Sequence, residues 1–369
     1  MTKPLAIARH QPDYIILACV AFLILFGFVM LSSASANLGQ SKLGDNYFYL
    51  RHQFIYGFLI GLVIFFVTSK IYYGVYEKLA LPFLILSIIL LLLIFSPLGI
   101  RAGGALRWLT FGPFTVQPSE LLKIASIIYF AAWLSGDNDR QKTLLKGFLP
   151  FIAVLAGIGA ILLKQSSTST FAIIMATACV VYFASGARLS YLLGAFAVGI
   201  LGLLIVIFLT PYRLNRITTY LNPGANQEGA SYHINQALIA IGSGGLTGVG
   251  FGQSTTKISY LPEPIGDSIF AVIAEELGFI GATTVIILFA VLVIRILMLA
   301  LRTEHKFGRL ILVGFGSLIG MQAFINIAAI SGLIPLTGMP LPFISYGSSA
   351  LVSLMAGIGI VANISSYTK

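Results

Sequence analysis

Stretches of about twenty apolar residues, each long enough to cross the ~30 Å hydrocarbon core of a bilayer as a helix, decide what this chain can fold into. Bounded by charge, proline or glycine clusters, they lie near residues 14–33, 53–68, 79–97, 119–135, 148–164, 170–186, 191–209, 268–298, 309–330 and 348–366. The 369 residues are 58% hydrophobic and 9% charged, with a mean hydropathy of +0.96. Soluble domains average roughly 45–50% apolar and 25% charged residues, so a water-soluble globular fold is excluded. The expected fold is an all-α polytopic membrane protein: one integral domain over residues 1–369, with ten transmembrane helices and a large extracytoplasmic loop, residues 210–267, between the seventh and eighth.

Residues 14–32 follow Lys3 and Arg9 and end in Ser32-Ser33-Ala34-Ser35-Ala36, which has the outline of a signal peptide. The apolar part, Tyr14 to Met30, exceeds the roughly 7–15 residues of a cleaved leader, so a retained first span is expected. An even number of spans puts both termini on one side. That side carries Lys3, Arg9, Lys70, Lys78, Arg140, Lys142, Lys146, Arg188, Arg295, Arg302, Lys306, Arg309 and Lys369, or 13 of the 22 basic residues, and the positive-inside rule makes it cytoplasmic.

The other 9 are Lys42, Arg51, Arg101, Arg107, Lys123, Lys164, Arg213, Arg216 and Lys257. A bias of 13 to 9 is weak for loop charge that sets topology. An anionic ligand on the outer face accounts for it; snorkelling of single side chains to headgroups competes with that reading. In an integral protein the net charge of +10 points to lipid or phosphate rather than nucleic acid. Cys19 and Cys179 both fall in apolar stretches, which suits neither a disulfide framework nor a metal site.

Three outer segments, 98–120, 210–267 and 331–347, are rich in glycine, proline and serine yet sparsely charged. Irregular backbone at membrane depth persists only when packed in protein or lining a wet cavity, so a site is expected among them. Ile241 to Ser254 is glycine-rich but lacks the G-x-x-x-x-G-K-[ST] pattern of a nucleotide loop; a tightly folded loop and an anion cradle are the two readings.

Asp267 opens the eighth span after Leu261-Pro-Glu-Pro-Ile-Gly266, which puts a carboxylate at the membrane boundary beside a helix N-terminus, where it either acts in chemistry or, like Ser268, caps the helix. Glu275 and Glu276 lie about 12 Å deeper at 1.5 Å per residue, too far to form a carboxylate pair with it, and Lys123 or Lys164 is the expected ionic partner. Glu120 and Lys123, at i and i+3 opening the fourth span, share a face and can pair.

His10 and His305 fall on the inner side and His52 and His233 have no motif context, so no nucleophile–histidine arrangement is supported. Nor do His, Cys, Asp and Glu fall at metal-ligand spacing. No cofactor is required; a Mg or Mn ion bridging a diphosphate needs only one protein carboxylate.

Trp108-Leu-Thr-Phe-Gly-Pro-Phe-Thr-Val-Gln-Pro-Ser-Glu-Leu-Leu-Lys123, Gly242-Ser-Gly-Gly245 with Tyr260-Leu-Pro-Glu-Pro-Ile-Gly-Asp-Ser-Ile-Phe-Ala-Val-Ile-Ala-Glu-Glu-Leu-Gly278, and Thr337-Gly-Met-Pro-Leu-Pro-Phe-Ile-Ser-Tyr-Gly347 resemble the signature segments of the SEDS family (shape, elongation, division and sporulation). The likeness spans all ten stretches and is nearest to the division members, with the elongation members next. It implies a peptidoglycan glycosyltransferase that polymerises lipid II into glycan strands at the outer face of the bacterial cytoplasmic membrane. Such an enzyme works with a monofunctional class B penicillin-binding transpeptidase and other division proteins. By motif position Asp267 falls on the family's catalytic carboxylate, and Glu120 and Lys123 fall on cavity positions.

Two departures stand out. Ser166-Ser-Thr-Ser-Thr170 occupies the place of a Pro-Asp-x-Gly-Thr run, and Ser348-Ser349 that of a Gly-Ser. The chemistry suits a single acid. A sugar hydroxyl attacks an anomeric carbon, and a lipid diphosphate leaves unprotonated if cations offset its charge, so one general base suffices. Asp267 is the expected base of an inverting displacement. Lys123, Lys164, Arg213, Arg216, Arg107, Glu120 and Ser345 are the expected substrate-binding residues, and Lys257, outside these motifs, is expected to matter less than Lys123. A transporter, including a flippase for the same lipid, and a structural scaffold of the division machinery are the alternatives.

Overall fold

The computed structural model describes residues 10–102, 105–111, 114–136, 140–208, 210, 214, 218, 220 and 229–368. Asp13 starts α1 (Tyr14–Leu43) by accepting the backbone N–H groups of Ile15 and Ile16 at 3.1 and 3.3 Å, and Gly44, at φ 69°, ends it. The helix runs unbroken through residues 32–36, where Ser33, Ala34 and Ser35 are buried. Then come α2 (Phe48–Lys70), α3 (Gly74–Leu93), α4 (Pro118–Ser135), α5 (Leu144–Lys164), α6 (Thr168–Ala184), α7 (Leu189–Phe208), α8 (Ala230–Ser243), α9 (Thr256–Ser259), α10 (Ile269–Arg302), α11 (Lys306–Ile330) and α12 (Ser348–Ser365). Among the described residues seven helices are long and apolar enough to cross a membrane: α1, α2, α3, α5, α10, α11 and α12. Helices α4, α6 and α7 occupy the other three expected stretches.

The chain's two ends meet. The His10 N–H donates to Ser366 O at 2.7 Å, the Asp13 N–H donates to Ser365 Oγ at 3.0 Å, and Arg295 Nε donates to Asp13 Oδ2 at 2.7 Å. Asn363 binds the Tyr73 N–H and Ser69 O, and Ser135 Oγ donates to Glu77 Oε1 at 2.9 Å. The helix ends carrying Lys70 and Lys78 and the link carrying Arg140 therefore gather at the end where the termini lie, and α10 carries residue 269 to the opposite end. Helices α4 and α11 form the centre: Leu122, Ala125, Leu310, Ile311 and Leu312 are fully buried. Polar side chains here have no water to turn to and must satisfy one another.

Two outer segments are more ordered than expected. Residues 98–116 contain a three-stranded antiparallel sheet of β1 (Gly99–Ala102), β2 (Ala105–Phe111) and β3 (Phe114–Val116), with Ile100 opposite Trp108 and Leu109 opposite Val116, a small addition to the expected all-α membrane fold. The residues between the strands, 103–104 and 112–113, are Gly-Gly and Gly-Pro in sequence, dipeptides that mark tight turns. The segment 210–267 carries α8, whose Ala237 and Ala240 are fully buried.

Helix α10 breaks at Gly278, where φ is 66° and ψ −164°. The break releases backbone groups that the glycine-rich loop takes up. The Phe279 and Ile280 N–H groups donate to Gly245 O and Leu246 O at 2.9 and 3.2 Å, and the Val249 and Gly250 N–H groups donate to Glu275 O and Glu276 O at 2.9 and 3.1 Å. These amides face α10, so of the two readings of the loop the tightly folded one holds. A Cβ on Gly278 would lie 2.3 Å from Gly248 N. Gly278→Ala is therefore expected to destabilise the protein by more than the ~1–3 kcal/mol of the strained conformation alone, measured as a fall in unfolding temperature in detergent. An unchanged midpoint would contradict the fit.

Candidate functional site

Asp267 sits on the turn Leu261–Ser268 that leads into α10, and neighbours on every side hold the turn's backbone. Glu263 adopts φ 47°, and its carbonyl accepts the Gly266 and Ser268 N–H groups at 3.0 and 3.3 Å. Ser345 Oγ donates to Gly266 O at 2.7 Å, the Tyr346 N–H donates to Ile265 O at 2.9 Å, and Asn326 Nδ2 donates to Asp267 O at 2.8 Å. The third outer segment and α11 thus fix the carboxylate's position. The Ser268 side chain does not cap α10; it donates to Pro262 O at 2.8 Å and contacts His233 Nε2 at 2.6 Å. The Asp267 side chain is 16% exposed and lines a narrow cleft with Asn326, Ala329, Ile330, Leu336, Thr337, Gly338 and Met339. Asn326 Nδ2 also donates to Met339 O at 2.6 Å, while Asn326 Oδ1 and Thr337 Oγ1 are buried with no partner among the described residues. Buried acceptors and hydroxyls of this kind can serve a polar ligand.

The other expected site residues fall into three groups. Glu120 and Lys123 do pair, at 2.8 Å, and Lys123 Nζ also donates to Gln322 Oε1 at 2.9 Å. Gln322 Nε2 donates in turn to Pro340 O at 3.0 Å. Lys123 is 2% exposed and Glu120 5%, so this cluster supports the third outer segment from behind the cleft. Ser345 is also buried and committed to the turn: besides donating to Gly266 O, its Oγ accepts the Leu341 N–H at 2.8 Å.

Arg107 and Lys164 approach from another side. Arg107 Nη2 donates to Ser166 O at 2.5 Å, Lys164 Nζ lies 5.0 Å over the Phe95 ring, and Ser169 Oγ reaches Thr337 O at 2.8 Å, which links this corner to the cleft wall. Ser166 adopts φ 57°, which a proline locked near −65° cannot reach, so the loss of the Pro-Asp run reshapes this turn. Arg213 and Arg216 lie outside the described residues.

The acidic pair at 275–276 has partners other than those expected. Glu276 is fully buried and pairs with Lys257 Nζ at 2.5 Å. It also accepts Ser33 Oγ at 2.7 Å and the Gly252 N–H at 3.1 Å. Glu275 accepts Ser254 Oγ at 2.5 Å, the Thr255 N–H at 3.2 Å and Thr256 Oγ1. Lys123 and Lys164 are engaged elsewhere, with Glu120 and Phe95. The expectation failed because Lys257 folds back nineteen residues along the loop that α10 clasps.

Gln322 and Asn326 were missed as well, although two amides at i and i+4 within an apolar span are a readable signal that one helix face meets polar partners. Nearer the membrane surface, burial pushes the Tyr346 phenol up to about 12, with Tyr49 adding to the effect, so it stays protonated where it meets His52 Nδ1 at 3.0 Å. Among the described residues no three His, Cys, Asp or Glu side chains are grouped to hold a metal ion.

A polytopic helical chain with a buried polar centre and one boundary carboxylate in a cleft has clear relatives. Residues 13–369 match the family of cell cycle proteins that comprises FtsW, RodA and SpoVE. The chain is 38% identical over 358 residues to the probable peptidoglycan glycosyltransferase FtsW of Geobacter sp. (strain M18), covering 97% of each sequence. It is 35% identical over 362 residues to the stage V sporulation protein E of Bacillus subtilis (strain 168), covering 98% of this chain and 99% of the relative. A solved structure described as "Structural coordination of polymerization and crosslinking by a peptidoglycan synthase complex" matches with a TM-score of 0.80 at 27% identity, over 96% of this chain and 97% of the other. The protein belongs to the FtsW/RodA/SpoVE family, and it is a multi-pass membrane protein.

Proposed function

We propose that this protein is a peptidoglycan glycosyltransferase of cell division, polymerising lipid II at the outer face of the bacterial cytoplasmic membrane through ten membrane-spanning helices with both termini inside. The observation that carries the reading is the placement of Asp267: a partly exposed carboxylate in a cleft, at the end of α10 opposite the chain's termini. Asp267 takes the proton of the acceptor sugar hydroxyl as that oxygen attacks the anomeric carbon of the donor, whose configuration inverts as undecaprenyl diphosphate leaves. Asn326 Oδ1 and Thr337 Oγ1 offer hydrogen-bonding capacity to the sugars beside it.

Arg107 and Lys164, at the corner joined to the cleft wall through Ser169 and Thr337, offset the diphosphate's charge, and Arg213 and Arg216 are assigned the same task from their place in the sequence alone. Glu120, Lys123 and Ser345 support the bound substrate by holding the walls. The displacement calls for no resident cofactor, and a Mg or Mn ion enters, if at all, with the diphosphate. The lipid tails lie in grooves between helices. The glycan passes to a class B penicillin-binding transpeptidase and, with it, other division proteins.

Incubating the purified protein in liposomes with labelled lipid II, with and without its transpeptidase, tests this. Glycan strands support the enzyme; lipid flux without polymer would replace it with a flippase.

A further inference from the structure

His233, near the start of α8, sits against the turn that carries Asp267, although no motif marks it. Its Nε2 lies 2.6 Å from Ser268 Oγ and 3.9 Å from Asp267 Oδ1, and its side chain is 14% exposed. Ser268 Oγ also donates to Pro262 O at 2.8 Å. A hydroxyl has one proton, so both Ser268 contacts are hydrogen bonds only when the imidazole carries its proton on Nε2. That proton points to the residue next to Asp267 and presents the positive end of an N–H dipole on the side where the carboxylate lies.

Resting on the reading of Asp267 as the base, we propose that His233 is its positioning residue: the Nε2–H anchors Ser268, fixes the approach of α8 to the turn, and keeps the Asp267 carboxylate ionised and aimed into the cleft. The charged and titratable groups on the elements around His233 fit this assignment. The turn offers Asp267 and Glu263, α8 itself Tyr232, and α10 the acids Glu275 and Glu276, of which Glu276 is neutralised by Lys257. Helix α11 meets the turn through Asn326, which does not titrate, and its basic residues Lys306 and Arg309 lie at the far end. The cationic form of His233, 3.9 Å from Asp267 Oδ1, thus adds a charge that can favour the carboxylate directly.

The sign follows. A donor or positive charge facing a carboxylate lowers the pH at which it ionises, and a general base works only when ionised. Removing His233 therefore moves the acidic limb of the pH–rate profile to higher pH. The test is the profile of glycan polymer formation from lipid II for the full-length protein and for His233→Leu, His233→Asn, His233→Gln and Asp267→Asn, each verified as monodisperse in detergent. Leu removes the donor, Asn sets it one bond short, and Gln returns an N–H near the Nε2 position. We expect the limb to move up by about one pH unit in the Leu and Asn variants and to return toward the wild-type position in the Gln variant. Should either of the first two fail to fold, the other decides against Gln. A rate lowered evenly at every pH, with the limb in place, means that His233 only packs, and overturns the proposal. If Asp267→Asn itself polymerises at the wild-type rate, the base assignment fails first and takes this inference with it.

Discussion

Asp267→Asn should leave the protein folded and able to bind lipid II while glycan polymerisation falls by roughly 10²–10⁴-fold, the usual worth of a general base. The substitution keeps size and polarity and removes only the charge and the proton-accepting oxygen pair. The turn is held through its backbone, by Ser345 on Gly266 O, Tyr346 on Ile265 O and Asn326 on Asp267 O, so the unfolding midpoint should move little. Polymer assays on purified protein, with lipid II binding measured alongside, separate the outcomes. Near-normal polymerisation rejects the assignment of the base; a loss matched by a collapse of thermal stability would mean that the carboxylate is structural.

The second large effect lies away from the cleft. Lys257→Ala should be among the most destabilising single substitutions in the protein. It leaves Glu276, fully buried, with a charge that Ser33 Oγ and the Gly252 N–H alone cannot offset. Breaking a buried ion pair from one side costs about 3–5 kcal/mol. Replacing both partners with apolar residues of similar volume removes the stranded charge, so Lys257→Met with Glu276→Leu should recover most of the loss. Unfolding in detergent of Lys257→Met, Glu276→Leu and the double variant completes the cycle. A Lys257→Ala protein as stable as the parent would contradict the placement of the loop against α10. The pair ties α1, through Ser33, to the loop and to the break at Gly278, so its loss should loosen the outer half of α10 as a unit.

The helices were legible because an apolar run of membrane length has few alternatives: among the described residues seven are long and apolar enough to cross a membrane, and α4, α6 and α7 lie in the other three expected stretches. Their ends were less so. Helix α1 continues to Leu43 because no proline falls between Ser32 and Lys42, although those residues no longer look like a membrane span. Asp267 could be located from sequence because Pro262, Pro264 and Gly266 stop one element just before an apolar helix starts.

Residues whose roles arise from contacts between distant segments could not be read in this way. His233 meets Ser268 thirty-five residues on, and Ser33 meets Glu276 across 243. Lys257 read only as an outer-side cation outside the motifs, because its burial comes from the loop folding back onto Glu276. The sheet was missed for another reason: Arg107, Trp108 and Thr110 mark no sharp polar alternation, and in sequence β2 shows only as a stretch between Gly-Gly and Gly-Pro.

A structure with donor and acceptor analogues of lipid II bound decides whether Asp267 is the base. The attacking sugar hydroxyl should lie about 2.6–3.2 Å from an Asp267 carboxylate oxygen, or one water away, with the diphosphate toward Arg107 and Lys164. Sugars seated beyond reach of Asp267, or at the end of the bundle where His10 meets Ser366, would contradict it.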